Sequence, residues 1–160
     1  MDLKTRLTLS TFVSPDYEFS VGEFIDIGWV LEFYSEYFGE WIMALTYETI
    51  RVHFYRSLDG GRTWDRIGDA VVEPEEKPEG AYAIGTGTFR KKVECEEGGK
   101  TVLIKASYDG CNTNFSPGTL EDGMHLLPTY DCNIATYRAK QLVGICWKEA
   151  VSNICEVFVS

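Results

Sequence analysis

The chain has 160 residues, of which 44% are hydrophobic and 14% aromatic, and its 25 acidic and 15 basic side chains leave a net charge of −10. That length builds a sizeable core in one domain, expected to cover 1–160, and so acidic a surface repels phosphate backbones, which argues against a nucleic-acid partner. No run is long and apolar enough to span a bilayer, so no membrane partner is expected, and the start MDLKTRLTLSTFVS lacks the apolar stretch of a secretion signal.

The expected location is therefore the cytosol, with a virus particle as the other setting that needs no signal. Five cysteines are many for such a compartment, yet no CxxC pair is present, which argues against a zinc ribbon or a redox motif. No metal and no cofactor are expected. Four Asn and one Gln beside many Glu resemble the composition of thermophile proteins, whose intracellular chains can carry disulfides.

In chain order, residues 6–13 (RLTLSTFV) alternate as a strand does, and Ser14-Pro15-Asp16 reads as a turn. In 23–38, Phe24, Asp26 and Gly28 alternate with Ile25, Ile27 and Trp29, which starts a strand; the remainder fits a second strand or a short helix equally. The aromatics Trp29, Phe33, Tyr34, Tyr37 and Trp41 are expected in the core. Exposed together, they would instead form a platform for a sugar ring or a protein surface.

Residues 41–47 and 50–56 form a hairpin about Glu48-Thr49, and 65–72 is a further strand. The stretch 73–80 (EPEEKPEG) reads as a solvated loop. Strands are expected within 81–96, then, after the turn at Gly98-Gly99, over 101–106. Residues 116–131 are loop-rich with a short strand near MHLL. A last hairpin is expected between 141–147 and 154–159. It sets Cys146 opposite Cys155, within disulfide reach at the closer type of cross-strand pair.

Between the strands 50–56 and 65–72 lies Ser57-Leu58-Asp59-Gly60-Gly61-Arg62-Thr63-Trp64. Ser57 and Asp59 have short oxygen-bearing side chains that fold back onto loop N–H groups. The paired glycines tolerate positive φ, and Trp64 has a large apolar face to lay on the sheet. The pattern Ser-x-Asp-x-Gly-x-Thr-Trp resembles the Asp-box, or BNR repeat, of sialidase-like β-propellers. Ser107, Asp109, Thr113 and Phe115 resemble a second box in which Cys111 stands at the glycine position and the aromatic comes one residue late.

A hairpin followed by serine recurs at Ser57, Ser107 and Ser160, at intervals of 50 and 53 residues. Such a period suits a four-stranded propeller blade. The fold class is thus all-β, with antiparallel hairpin repeats that the resemblance implies are propeller-like blades. The alternative is a β-sandwich or compact barrel carrying the same turns.

For function, Asp59 is read as a loop-organising acceptor, and no catalytic residue is assigned. The first reading is a non-enzymatic binding or assembly module that recognises a protein or a carbohydrate. Too few blades to close a ring imply a homo-oligomer that pools its sheets. The second reading is a glycosidase. The sialidase resemblance implies several arginines around the substrate, but the chain has seven, and Arg66-Ile67 is followed by glycine where that family has proline. The third is a structural protein of a virus particle or appendage.

Overall fold

The computed structural model describes residues 5–35, 39–46, 49–77, 80–110, 126–127, 135–138, 141–144 and 149–160. From the amino end, β1 (Thr5–Thr11) is followed by a two-residue β2 (Glu18–Phe19) and by the long β3 (Phe24–Ser35). Next come β4 (Glu40–Thr46), β5 (Ile50–Ser57) and β6 (Asp65–Val72). Strands β7 (Glu75–Lys77), β8 (Gly80–Ile84) and β9 (Thr86–Lys92) lead to a single 3-10 turn at Cys95–Glu97 and then to β10 (Thr101–Tyr108). The remaining strands are β11 (Leu126–Leu127), β12 (Ala135–Arg138), β13 (Gln141–Gly144), β14 (Ala150–Val151) and β15 (Cys155–Val159).

The fold is all-β and mainly antiparallel. One sheet runs β1-β3-β4-β13-β12-β11, with β9 on β3 and β8 on β4; the other runs β2-β15-β10-β5-β6, with β14 on β10. The period-two alternation of each strand puts one set of side chains inside. Ile25, Ile27, Trp29, Leu31 and Phe33 of β3 meet Ile50, Val52 and Phe54 of β5 and Val102, Ile104 and Ala106 of β10 in one core. Each buried Val, Leu, Ile or Phe side chain among these contributes roughly 1.5–3 kcal/mol. The Phe54 and Phe89 rings stack at 4.2 Å and join the two sheets directly.

This is the sandwich arrangement. Strand pairing does not run as successive four-stranded meanders, because β10 lies between β5 and β15. The serines that recur in the sequence therefore follow or end three neighbouring strands of one sheet, not three blades. Gly85 is the joint at which the 80–92 stretch passes from β4 to β3. Its N–H donates to the Ala44 carbonyl at 2.8 Å, and its own carbonyl accepts from Leu31 N–H at 2.7 Å. A Cβ there would lie 2.7 Å from Ala44 Cβ, so the close approach demands glycine.

Four expectations are corrected. The hairpin about Glu48-Thr49 does not form: β4 pairs with β3, β8 and β13, whereas β5 pairs with β6 and β10 in the other sheet, so the chain crosses between the sheets there. The aromatic stretch after Trp29 continues as one strand to Ser35, because β1 pairs with it as far as Phe33 and β4 pairs with it from Glu32 to Ser35. Part of 73–80 is not loop: Glu75–Lys77 pairs with Gly80–Tyr82. The last hairpin does not form. β13 pairs with β12 and β4, whereas β15 pairs with β10 and β2, in the other sheet. Cys155 lies opposite Ile104 and is a free thiol; Cys146 lies outside the described residues. Among the described residues, no helix is long and apolar enough to cross a membrane.

Candidate functional site

The loop between β5 and β6 is closed by its own side chains. Ser57 Oγ accepts from Gly61 N–H at 2.8 Å and donates to Asp59 Oδ1 at 2.7 Å. Asp59 then accepts from the Thr63 N–H at 2.9 Å and from its hydroxyl at 2.6 Å. Thr63 and Ser57 together hold the Asp59 carboxyl well below the ordinary carboxylate range. Gly60 and Gly61 take φ of 75° and 94°, which the loop path needs. Both Asp59 oxygens are engaged within the loop, one by Ser57 and the Thr63 N–H and the other by the Thr63 hydroxyl.

Trp64 is half-buried rather than enclosed. Its indole N–H donates to the Gly61 carbonyl at 3.1 Å, and the Lys105 ammonium sits 4.2 Å from the ring centre. The ring therefore lies over the outer face of the six-stranded sheet, and the core is filled without it.

Ser107 and Asp109 occupy the end of β10, and Gly110 takes φ of 83°, as Gly60 does in the first loop. Thr113 and Phe115 lie outside the described residues. The Asp109 carboxylate reaches across the sheet to His53 Nε2 at 2.8 Å, although its side chain is 73% exposed. His53 Nδ1 is 2.8 Å from Asp69 on β6. Arg66 donates to both Asp69 oxygens, at 2.7 and 2.6 Å, and Arg51 adds a longer ion pair at 3.5 Å. One buried imidazole thus ties β6, β5 and β10 together on the outer face. Burial pushes the Asp69 carboxyl up, but hydrogen bonds from Arg66 and His53 outweigh it and bring the carboxyl down to about 2.

The His53 cluster depends on a β-bulge. Pairing runs Tyr55 with Arg66 and then Phe54 with Gly68, so Ile67 is the extra residue. Without it, Asp69 would fall opposite the core residue Val52, and a carboxylate would be driven inward. The sequence assigns no role to His53 or Asp69, and Arg66 enters it only through the Arg66-Ile67-Gly68 stretch. Their only signal was the alternation of β5, which puts His53 on the same face as Arg51 and Tyr55.

The expected aromatic platform is split by strand alternation. Trp29 and Phe33 point inward and are fully buried. Tyr34 and Trp41 lie on the opposite face as an edge-to-face pair at 5.5 Å, and Arg6 stacks on Trp41 at 4.2 Å. Tyr37 lies outside the described residues.

A second buried cluster ties the 3-10 turn to the sheets. Glu97, 1% exposed, accepts from Arg56 at 2.8 Å and Lys91 at 2.7 Å, and Arg56 also pairs with Glu94 and Glu96. Burial pushes the Glu97 carboxyl up, but the Glu94 N–H, Lys91 and Arg56 hold it below its ordinary value.

A concave feature near β15 is different in character. A groove of about 430 Å³ separates Thr11, Val13 and Asp16 from Cys155, Glu156 and Phe158. Val13 and Phe158 are exposed apolar residues, and burial pushes the Cys155 thiol up. No family model, curated protein or solved structure matches this chain.

Proposed function

We propose that the chain is a non-enzymatic binding or assembly module for a protein or a carbohydrate. The observation that supports this most is the closure of the His53 cluster on itself. Both ring nitrogens face carboxylates at 2.8 Å, and Asp69 is further engaged by Arg66. A general base needs a nitrogen within reach of substrate, and here both are occupied.

The glycosidase reading has one feature in its favour, since Asp69 and Asp109 are two carboxylates flanking a common centre. Inverting glycosidases hold such a pair about 6.5–9.5 Å apart to leave room for a sugar and a water. In this chain the imidazole fills the space between the pair. Self-association belongs to the same proposal, but the edge at Ser160 does not drive it. Ser160 N–H donates to the Phe19 carbonyl at 2.9 Å, so the chain's own β2 occupies that place.

Chromogenic α- and β-glycosides, including a sialoside, test the reading. No turnover above the blank is expected. Turnover that disappears in Asp69→Asn or Asp109→Asn would overturn it.

A further inference from the structure

We infer that the groove between the 11–16 segment and β15 receives an extended polypeptide strand with basic side chains, supplied by another protein. The inference rests on the binding-module reading and names its ligand class.

The groove lies on the lateral seam of the sandwich, where the edge of one sheet approaches the edge of the other. β1 pairs with β3 on one side only. Its outward backbone groups can be located because Leu9 N–H donates to Asn153 Oδ1 at 2.7 Å, and Leu9 carbonyl accepts from Asn153 Nδ2 at 3.0 Å. A side-chain amide thus makes the donor–acceptor pair that a neighbouring strand would make. Strand alternation turns Thr11, two residues on, to the same outward side. Thr11 is where the Asn153 plug ends and the groove begins.

The opposite wall is also a strand edge. In β15, Val159 N–H faces β10 and bonds the Lys100 carbonyl, whereas Ser160 N–H faces β2. By alternation Glu156 faces the β2 side, but β2 pairs only with Phe158 and Val159. Among the described residues, no strand pairs with Glu156 on that side. Both walls therefore direct backbone groups into one gap lined by apolar and acidic side chains, which is what strand addition uses.

Charge selects the occupant. Asp16 and Glu156 line the groove, Glu18 pairs with the groove residue Phe158, and the whole chain carries −10. A second copy of this chain would bring a like-charged surface to the rim, whereas lysine or arginine at alternate positions would pair with these carboxylates.

The probe is a fluorescein-labelled eight-residue peptide of alternating lysine and valine, measured by anisotropy with the 160-residue chain at low ionic strength. It is expected to bind at least about tenfold tighter than a glutamate–valine counterpart. Methylating alternate backbone amides of the peptide is expected to weaken binding about tenfold, as loss of strand pairing requires. The double variant Asp16→Lys, Glu156→Lys is expected to weaken it similarly. Glu73→Lys with Glu75→Lys, which makes the same net change away from the groove, is expected to retain most of the affinity. Equal loss in both double variants, indifference to N-methylation, or no binding would overturn the inference. So would sedimentation as a dimer that Asp16→Lys, Glu156→Lys converts to monomer, because the occupant would then be a second copy. Glycoside turnover would defeat the non-enzymatic reading and leave these binding results unchanged.

Discussion

Asn153 holds Leu9 across 144 residues of sequence, with its amide oxygen and nitrogen engaging the Leu9 N–H and carbonyl together. The neighbouring Ser152 secures the other sheet: its N–H donates to the Ala106 carbonyl at 2.9 Å, and its hydroxyl accepts from Ala106 N–H at 2.8 Å. Residues 152–153 therefore clip the two sheets together at their open edge. Asn153→Ala leaves two part-buried backbone groups without that partner, and the expected cost is about 1–3 kcal/mol. Urea unfolding measures it. Hydrogen exchange at the Leu9 amide should quicken more than exchange at Leu7, and an unchanged Leu9 rate would show that water replaces the amide at no cost.

Asp59→Ala removes the acceptor that receives both Thr63 groups. The expected result is a lower melting temperature and faster exchange at the Thr63 amide, with exchange in the β3 core unchanged. Asp59→Asn keeps one acceptor oxygen and should fall between the two. The folded carboxyl is depressed by Thr63 and Ser57. Its contribution is thus present above the unfolded carboxylate range and fades as pH falls below it. An Asp59→Ala chain with native Thr63 protection would contradict the role assigned to this side chain.

Asp69 makes the acid limb of stability steeper. Its folded value of about 2 lies below the ordinary carboxylate value. The stabilisation is complete above about pH 4, where an unfolded aspartate is ionised, and is lost as pH falls toward the folded value. Asp69→Asn is expected to lower stability at neutral pH by about 1 kcal/mol, given its partial exposure. The difference from the parent should shrink as the pH drops. Thermal melts at stepped pH decide this; a gap that widens on acidification would reverse the assignment.

Glu97 is the anion on which two buried cations depend. Glu97→Ala leaves Arg56 and Lys91 without it and is expected to cost about 3–5 kcal/mol. Replacing Glu97, Arg56 and Lys91 together by apolar residues of similar size should cost less than the single change, because no unpaired charge is left. Guanidinium unfolding of the two variants makes the comparison. A single variant as stable as the parent would mean that Glu94 and Glu96 neutralise both cations.

What the sequence determined by itself was local or periodic. The alternation of Ile25, Ile27 and Trp29 with Asp26 and Gly28 identifies a strand and its inner face, because a strand turns successive side chains to opposite sides. The 57–64 loop was legible for a similar reason: its bonds connect residues no more than four apart, so the serine, aspartate, glycines and threonine carry their own geometry. Tertiary structure decided which strands became neighbours. The repeat at Ser57, Ser107 and Ser160 suits blades in one dimension, yet β5, β10 and β15 are neighbours in one sheet. The sequence sets 154–159 beside 141–147, yet β15 pairs with β10, because the choice of neighbour rests on packing of the whole core. The single extra residue at Ile67 reverses the facing of everything after it in β6, and that places Asp69 beside His53. Composition and spacing do not encode where a bulge falls, because the contacts around it come from the other sheet: a Cβ on Gly68 would lie 3.0 Å from the Phe89 ring.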